Sequence, residues 1–568
     1  MRVLAQANLR LDADVIDYVL IGAYFLVVLG IGYLVRRHVS TSLDFFLSGR
    51  SLPAWVTGLA FIAANLGAIE VMGMSANGAQ YGMPTAHYFW IGAVPAMLFL
   101  GIVMMPFYYG SKVRSVPEFM LRRFSKPAHL VNSISFAVAQ ILIAGINLFL
   151  LATVVNLLLG WPVWVSVIAA AGIVLVYTAL GGLSAAIFNE VLQFFVIVAA
   201  LLPLTIVGLI EVGGWQGLVD RLSAAPGGAA QTHTWPGNQL TGFTSDLLSV
   251  VGLVFGLGFV LSFGYWTTNF VEVQRAMASR SMSAARRTPI IGAFPKMFIP
   301  FIVIVPGMIA AVSVNELQGE NKAALMAGAQ SAPSGATFND ALLLLMRDLL
   351  PNGMLGIAVA GLMAAFMAGM AANLSSFNTV FTYDLWQSYV VKDRPDGYYL
   401  RAGRVVTAAA TLLAIGTAFI AASYANLMDY LQQLFSFFNA PLFATFILGM
   451  FWKRMTPTAG WTGLVSGTLA AIGVFVLVQT GAWDLPGQGG AFVGAGAAFV
   501  VDIVVSVVVS YRTVPKPEPA LVGLVYSLTP KQQRRHSATG ADAGWYRNPG
   551  LLAGIALAIT IALNIIFF

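Results

Sequence analysis

Cysteine is absent from this 568-residue chain, and charge is scarce, with Asp, Glu, Lys and Arg together making 9%. The missing cysteines exclude disulfides, thiolate metal sites and cysteine nucleophiles. A soluble globular protein carries roughly a quarter charged residues, so the deficit excludes an ordinary water-facing surface. Only 5 histidines are present, and they form no nucleophile–base constellation. No HExxH, phosphate-loop, GxSxG or dinucleotide pattern stands in a suitable context. The residues therefore point to no enzyme activity and call for no cofactor. The first apolar run, 16–36, ends in Arg36 and Arg37 with no small-residue cleavage site before them. It reads as a retained helix and not as a leader peptide.

What is present is apolar. Hydrophobic residues make up 58% of the chain, and mean hydropathy is +0.81. Stretches long enough to span a bilayer as helices recur at 16–36, 52–76, 84–109, 127–156, 161–180, 188–212, 244–273, 288–313, 351–385, 397–420, 424–450, 457–478, 486–510 and 546–567. That predicts an all-α membrane protein of 14 transmembrane helices.

The basic residues set the direction. With the N-terminus outside, 24 of the 30 Lys and Arg fall on inward loops and helix ends, 5 fall outside, and Lys296 falls within a helix. This asymmetry is the positive-inside pattern, so the net charge of +7 is a topology signal and not a nucleic-acid footprint. The outer loops 213–243 and 314–350 are gate covers or plain linkers. The inner segment 511–545, with Pro515, Pro517, Pro519 and KQQRRHS, reads as a flexible loop.

Carriers commonly interrupt helices at the midplane, freeing backbone groups for ions or solute. Residues 59–78 (LAFIAANLGAIEVMGMSANG) and 251–274 (VGLVFGLGFVLSFGYWTTNFVEVQ) are the two candidates. The first places Asn65 and Glu70 in an apolar span. Small-residue packing does not account for them. A buried carboxylate must be paired, hydrated or protonated, so Glu70 is a solute acceptor, a proton carrier, or a carboxylate in an outer vestibule. Lys296, between Pro295 and Pro300, needs a partner or snorkels to an interface. Glu272 and Arg275 sit one turn apart and read as a structural pair. Gln432 lies on an aromatic-rich helix suited to a polar solute. His87, Tyr88, Phe89 and Trp90 line an outer cavity or form an interfacial belt.

Five runs carry a resemblance: DFFLSGRSLPAWVTGLAFIAANLGAIE (44–70), YTALGGLSAAIFNEVLQ (177–193), YWTTNFVEVQRAMASRS (265–281), NTVFTYDLW (378–386) and GMFWKRMTPTAGWTG (449–463). In these the chain resembles the sodium:solute symporter family, and within it the bacterial sodium/galactose carriers. The resemblance implies outward termini, a seat in the bacterial cytoplasmic (inner) membrane, and a LeuT-like five-plus-five inverted-repeat core over about 52–450. The chain then divides into a peripheral first helix (1–43), two core halves (44–212 and 244–450) flanking the outer loop 213–243, and peripheral helices (451–568).

The family's sugar site carries over in part. Asn65, Lys296 and Gln432 match sugar contacts, and Tyr265 matches the aromatic residue beneath the sugar. Tyr88 joins the same group. Glu70, Phe89 and Ser262 stand where galactose carriers have glutamine, glutamate and asparagine. For sodium, the carbonyl positions are Ala63, Leu66 and Ala365. The family's two hydroxyl positions fall on Ala368 and Gly369, which have no side-chain oxygen, so the site is degenerate unless water, backbone, Ser375 or Ser376 substitutes. Glu190 replaces a pathway aspartate.

The expectation is cation-coupled, sodium-driven uptake of a small polar organic solute such as a monosaccharide. Proton coupling through Glu70, or uniport, is the alternative. A channel lacks a repeated filter. A sensor lacks an appended signalling domain. No association motif stands out, so the oligomeric state is open.

Overall fold

The computed structural model describes residues 10–36, 50–235 apart from 112 and 114, 238–530 apart from 425 and 486, and 544–568, with only the backbone path at 32, 35, 36, 176–185, 238 and 545. The charges at Arg2, Arg37, Lys112, Arg114, Lys531, Arg534 and Arg535, residues 44–49 of the first family run, and the end of the 511–545 loop lie outside the described residues. Among the described residues there is no strand, only an isolated bridge between Leu52 and Ser279.

The helices run in order as α1 (Val15–Arg36), α2 (Ala54–Asn65), α3 (Ile69–Tyr81), α4 (Met83–Tyr108), α5 (Val116–Arg123), α6 (Lys126–Leu159), α7 (Val163–Val212), α8 (Gly214–Ala224), α9 (Asp246–Thr268) and α10 (Phe270–Met277). They continue as α11 (Met282–Lys296), α12 (Pro300–Ser313), α13 (Gly319–Met326), α14 (Ala341–Leu349), α15 (Met354–Val390), α16 (Asp396–Ala421), α17 (Leu427–Phe451), α18 (Pro457–Gln479), α19 (Gly489–Arg512) and α20 (Pro549–Ile566). Local chemistry sets many starts. Ser115, Ser281, Asn426 and Asn548 each accept a backbone N–H from the first turn they precede, satisfying donors a helix cannot satisfy itself.

Among the described residues, 11 helices are long and apolar enough to cross a bilayer, or 12 when the bent pair α2 and α3 counts as one span. The apolar stretches Val15–Ile31 of α1 and Val163–Leu175 of α7 are shorter. The expected pair 161–180 and 188–212 is joined into the single 50-residue helix α7. Gly181 and Gly182 are the weakest helix formers in the connecting sequence, and without a proline there they do not break the ladder.

The first predicted interruption is present. Helices α2 and α3 meet at 57° across Leu66–Ala68. The second falls later than its glycines suggested. Gly252, Gly256 and Gly258 lie within a wide-turned stretch, Gly252–Ser262, that remains helical, and Gly264 lies in the helical turn after it. The glycines serve packing. A Cβ on Gly256 would stand 3.0 Å from Phe492 Cβ, and one on Gly264 3.0 Å from the Asn439 carbonyl oxygen. The chain leaves the helix at Asn269 (φ −72°, ψ 118°), whose side chain caps α10.

The centre of the molecule is α15. In its most apolar window 89% of residues are buried, against 28% for α18 and α20, so the last helices lie at the periphery. Helix α15 packs on α6, α7 and α2, while α12 packs on α3 and α11 on α2. The broken span is thereby held between α15 on one side and α11 with α12 on the other.

Candidate functional site

A cavity opens at the α2–α3 break. Asn65 and Glu70 line it from the broken span, Tyr88 from α4, Ser262 and Tyr265 from α9, Lys296 from α11, and Gln432 from α17. Phe89, fully buried, stands behind Lys296 with its ring centroid 4.6 Å from Nζ. The sugar-site positions read from the sequence therefore come together at one place.

Lys296 anchors the cavity. Its ammonium donates to Glu70 Oε1 at 2.6 Å and to Asn65 Oδ1, and it lies 5.1 Å from the Trp266 ring. Both ring faces favour a cation. Proline explains the placement. Lys296 is the last residue of α11, and the chain turns through 297–299 before Pro300 starts α12. Glu70 is 9% exposed and Lys296 2%, so neither the outer-vestibule reading of Glu70 nor snorkelling of Lys296 holds.

Tyr265 closes one end. Its hydroxyl donates to Glu272 Oε1 at 2.8 Å and accepts from Asn65 Nδ2 at 3.1 Å, and its ring lies 4.8 Å from Phe435. The expected Glu272–Arg275 pair is not formed. Arg275 instead binds Glu190, with Nη2 to Oε1 at 2.5 Å and both side chains fully buried. A planar guanidinium fits a carboxylate with two parallel bonds. Glu190 offers that edge from α7, and Glu272 is already used by Tyr265. Glu190 does not line the cavity.

At the other end is a polar cluster. Tyr88 donates to Gln488, whose amide donates to Asp429 at 2.7 Å. Asn426 donates to Asn77 at 2.9 Å and to Gln80 at 2.7 Å. Gln488, at the start of α19, ties a peripheral helix to the core.

The cation positions divide. Gly369 lines the cavity, while Ala63, Leu66, Ala365 and Ala368 are fully buried behind it. The carbonyls of Ala63 and Leu66 receive no backbone hydrogen bond at the break, so they are free as oxygen ligands. Ser376 is engaged with Gln274 at 2.9 Å. The expected cation positions thus combine free backbone oxygens at Ala63 and Leu66 with side chains at Ala368 and Gly369 that carry no oxygen. The sequence reading missed Trp266, Asn147, Asn269 and Phe435, which also line the cavity. An aromatic or a single amide in an apolar run carries no distinguishing signal. The wide turns at Ile69–Gly73 and Tyr88–Ala93, which carry Glu70, Tyr88 and Phe89, were equally invisible. Such turns are frequent at functional sites.

Two half-helices meeting at a buried polar cavity, with free carbonyls beside it, define a secondary carrier of the broken-helix kind. The chain belongs to the sodium:solute symporter family, which matches residues 45–467. It is 29% identical over 474 residues to a sodium/glucose cotransporter of Vibrio parahaemolyticus, covering 81% of this chain and 85% of that one. It is 28% identical over 554 residues to sodium/glucose cotransporter 1 of Oryctolagus cuniculus, covering 91% and 82%. The fold is similar to that of a substrate-bound, outward-open Na+-coupled sialic acid symporter, with a TM-score of 0.71, 19% identity, and coverage of 88% and 99%.

Proposed function

We propose that this carrier couples the inward movement of sodium to uptake of a small, net-neutral, polyhydroxylated solute, a monosaccharide in the first instance. The observation that carries the reading is the Lys296–Glu70 pair beside Asn65 at 2.6 Å. Its charges cancel, so a net-charged solute would leave one charge unbalanced in a buried cavity. A hydroxyl both donates and accepts, so it can bond to Glu70 and Lys296 together. Gln432 and Ser262 supply further polar contacts, and Tyr265 and Trp266 supply faces for a sugar ring. The sodium/glucose cotransporters to which the chain is similar favour the same solute class.

The cation enters beside the solute, at the Ala63 and Leu66 carbonyls and the neighbouring face of α15 at Ala365, Ala368 and Gly369. Alternating access exposes the cavity first past the Tyr88–Gln488 cluster and then past Tyr265. In this reading the chain has 14 membrane helices with both termini outside, in the cytoplasmic membrane of a bacterium. A five-plus-five repeat over about 52–450 forms the core, in the halves 44–212 and 244–450. The first helix (1–43), the loops 213–243 and 511–545, and the segment 451–568 lie around it.

A second reading replaces sodium by protons carried on Glu70, and it rests on the missing oxygens at Ala368 and Gly369. Uptake of labelled glucose and related sugars into proteoliposomes separates the two. Accumulation driven by an inward sodium gradient, and abolished when sodium is replaced by choline, is the expected result. Accumulation driven by an acid outside pH without sodium, and lost in Glu70→Gln, would overturn it.

A further inference from the structure

Asn147 sits in the middle of α6, in the run IAGINLF, and is 3% exposed. Its side-chain amide is used on one side only. Nδ2 donates to the Ile143 carbonyl one turn back at 3.2 Å, while Oδ1 has no hydrogen-bond partner. The orientation is determined by that contact, because a flipped amide would set Oδ1 against the Ile143 oxygen. A buried acceptor left unpaired costs about 1–3 kcal/mol, so an amide kept in this state calls for a partner that the chain does not itself supply.

The place to which the oxygen points is specific. A Cβ built on Gly369 would lie 3.1 Å from Asn147 Oδ1, and one built on Gly67 would lie 3.5 Å from it. Asn147 Oδ1 therefore stands at the contact between α15 and the α2–α3 break, beside the position where a side chain on residue 369 would begin. The same break leaves the Ala63 and Leu66 carbonyls without backbone partners. Ala63 lies in the last turn of α2 and Leu66 caps it, where the helix dipole adds partial negative charge. Three oxygens without a hydrogen-bond donor thus belong to residues at or beside the Gly67–Gly369 contact.

We infer that Asn147 Oδ1 completes the cation site of this carrier, supplying from α6 the side-chain oxygen that Ala368 and Gly369 on α15 cannot. The ligand is a small hard monovalent cation, sodium in the proposed function, on which this inference rests. The set is all oxygen and uncharged, two backbone carbonyls and one amide carbonyl, with Ala365 and water available to fill the remaining positions. An uncharged oxygen set at a helix C-terminus suits a single positive charge, whereas divalent cations are normally held by carboxylates. The glycines at 67 and 369 let α6, α15 and the break approach closely enough for one amide to reach across.

The test is equilibrium binding of radioactive sodium to the purified full-length carrier in lipid nanodiscs, without solute. The wild type binds sodium, and Asn147→Ala weakens binding by at least about tenfold, as loss of a cation ligand does. Asn147→Asp keeps the oxygen and adds charge, so it binds sodium more tightly, with an advantage that fades as the pH falls and the carboxylate takes up a proton. Sodium binding in Asn147→Ala at wild-type affinity overturns the inference and leaves the proposed function standing. If Asn147→Ala does not elute as a folded protein, Asn147→Asp decides, and affinity equal to or below wild type overturns it. Failure of the wild type to bind sodium overturns the inference together with the sodium-coupled reading.

Discussion

Lys296 Nζ lies 2.6 Å from Glu70 Oε1, joining the end of α11 to the first turn of α3 across 226 positions of chain. Asn65 supplies a second oxygen to the ammonium, and the Phe89 and Trp266 rings lie against it. A buried pair of this kind contributes little net stability, but removing one partner strands the other. Glu70→Ala is expected to destabilise the folded carrier by about 3–5 kcal/mol. The double variant Glu70→Gln, Lys296→Met recovers most of that loss while transport stays abolished. Thermal unfolding of the purified variants measures the first effect and solute counterflow the second. A double variant less stable than Glu70→Ala would show that the pair is not the source of the cost.

Tyr265→Phe removes one hydroxyl that serves both Glu272 and Asn65. Glu272 Oε2 already lacks a partner, so the whole carboxylate is then left without a donor, at a cost of about 1–3 kcal/mol. The ring, and its contact with Phe435, remains. The expected phenotype is a folded carrier with weakened closure on the Tyr265 side, seen as faster solute efflux from preloaded proteoliposomes. Efflux at the wild-type rate would remove Tyr265 from the closing role.

Lys296 and Glu70 were legible as candidates because a lone charge in an apolar run is costly and must have a reason. Their mutual pairing was not legible, since nothing in sequence spacing relates position 70 to position 296. Local spacing misled at Arg275, where Glu272 is one turn away but the long side chain reaches Glu190 on another helix. The break at 66–68 was announced by Asn65, Gly67 and Glu70 within one apolar span. The break at Asn269 was obscured by the four glycines before it, which serve helix packing. Asn147 was unreadable in the sequence, because one amide in a long apolar helix becomes informative only when its oxygen is found without a donor.

Arg123 ties the C-terminal end of α17 to α5. Fully buried, it donates from Nε to the Gly449 carbonyl at 2.7 Å, from Nη1 to Met455 at 3.2 Å and from Nη2 to Trp452 at 3.1 Å. Gly449 is in the last turn of the helix that carries Gln432, Trp452 caps it and Met455 follows, and a cation there also meets the negative end of the helix dipole. Arg123→Ala is expected to cost about 2–4 kcal/mol. Arg123→Lys recovers only part of this, because an ammonium cannot reproduce the planar fork. Equal thermal midpoints for the Lys variant and the wild type would contradict that account.

Lys322, in the short helix α13 between α12 and α14, is fully buried and donates to Gln231 Oε1 at 2.8 Å. Burial pushes its ammonium down from 10.5 to about 8. Between those two values the unfolded chain holds the proton more firmly than the folded one, so stability rises as pH rises through about 8 to 10.5. Below about 8 both states are charged and this residue contributes no slope. The midpoint of thermal unfolding is expected to gain a few degrees across that window, and Lys322→Met flattens the gain. A slope unchanged in Lys322→Met would assign the effect to other groups.

Gly369 makes restoration of the family's hydroxyl more than a matter of adding an oxygen. A Cβ there would lie 2.9 Å from Gly67 Cα, a contact that real side chains do not make, and the obstructing atom is backbone. Neither partner can rotate away, so α15 and the α2–α3 break must separate. Overpacking of this kind costs about 1–3 kcal/mol. Gly369→Ser and Gly369→Ala are therefore expected to lower the thermal midpoint by similar amounts, since the Cβ and not the hydroxyl is the cause. Both also push Asn147 Oδ1 from its place, because the same Cβ would lie 3.1 Å from it. Thermal unfolding and sodium binding measured on the two variants side by side check this. If Gly369→Ser binds sodium more tightly than the wild type with an unchanged midpoint, the close glycine contact is not what bars a side chain at this position.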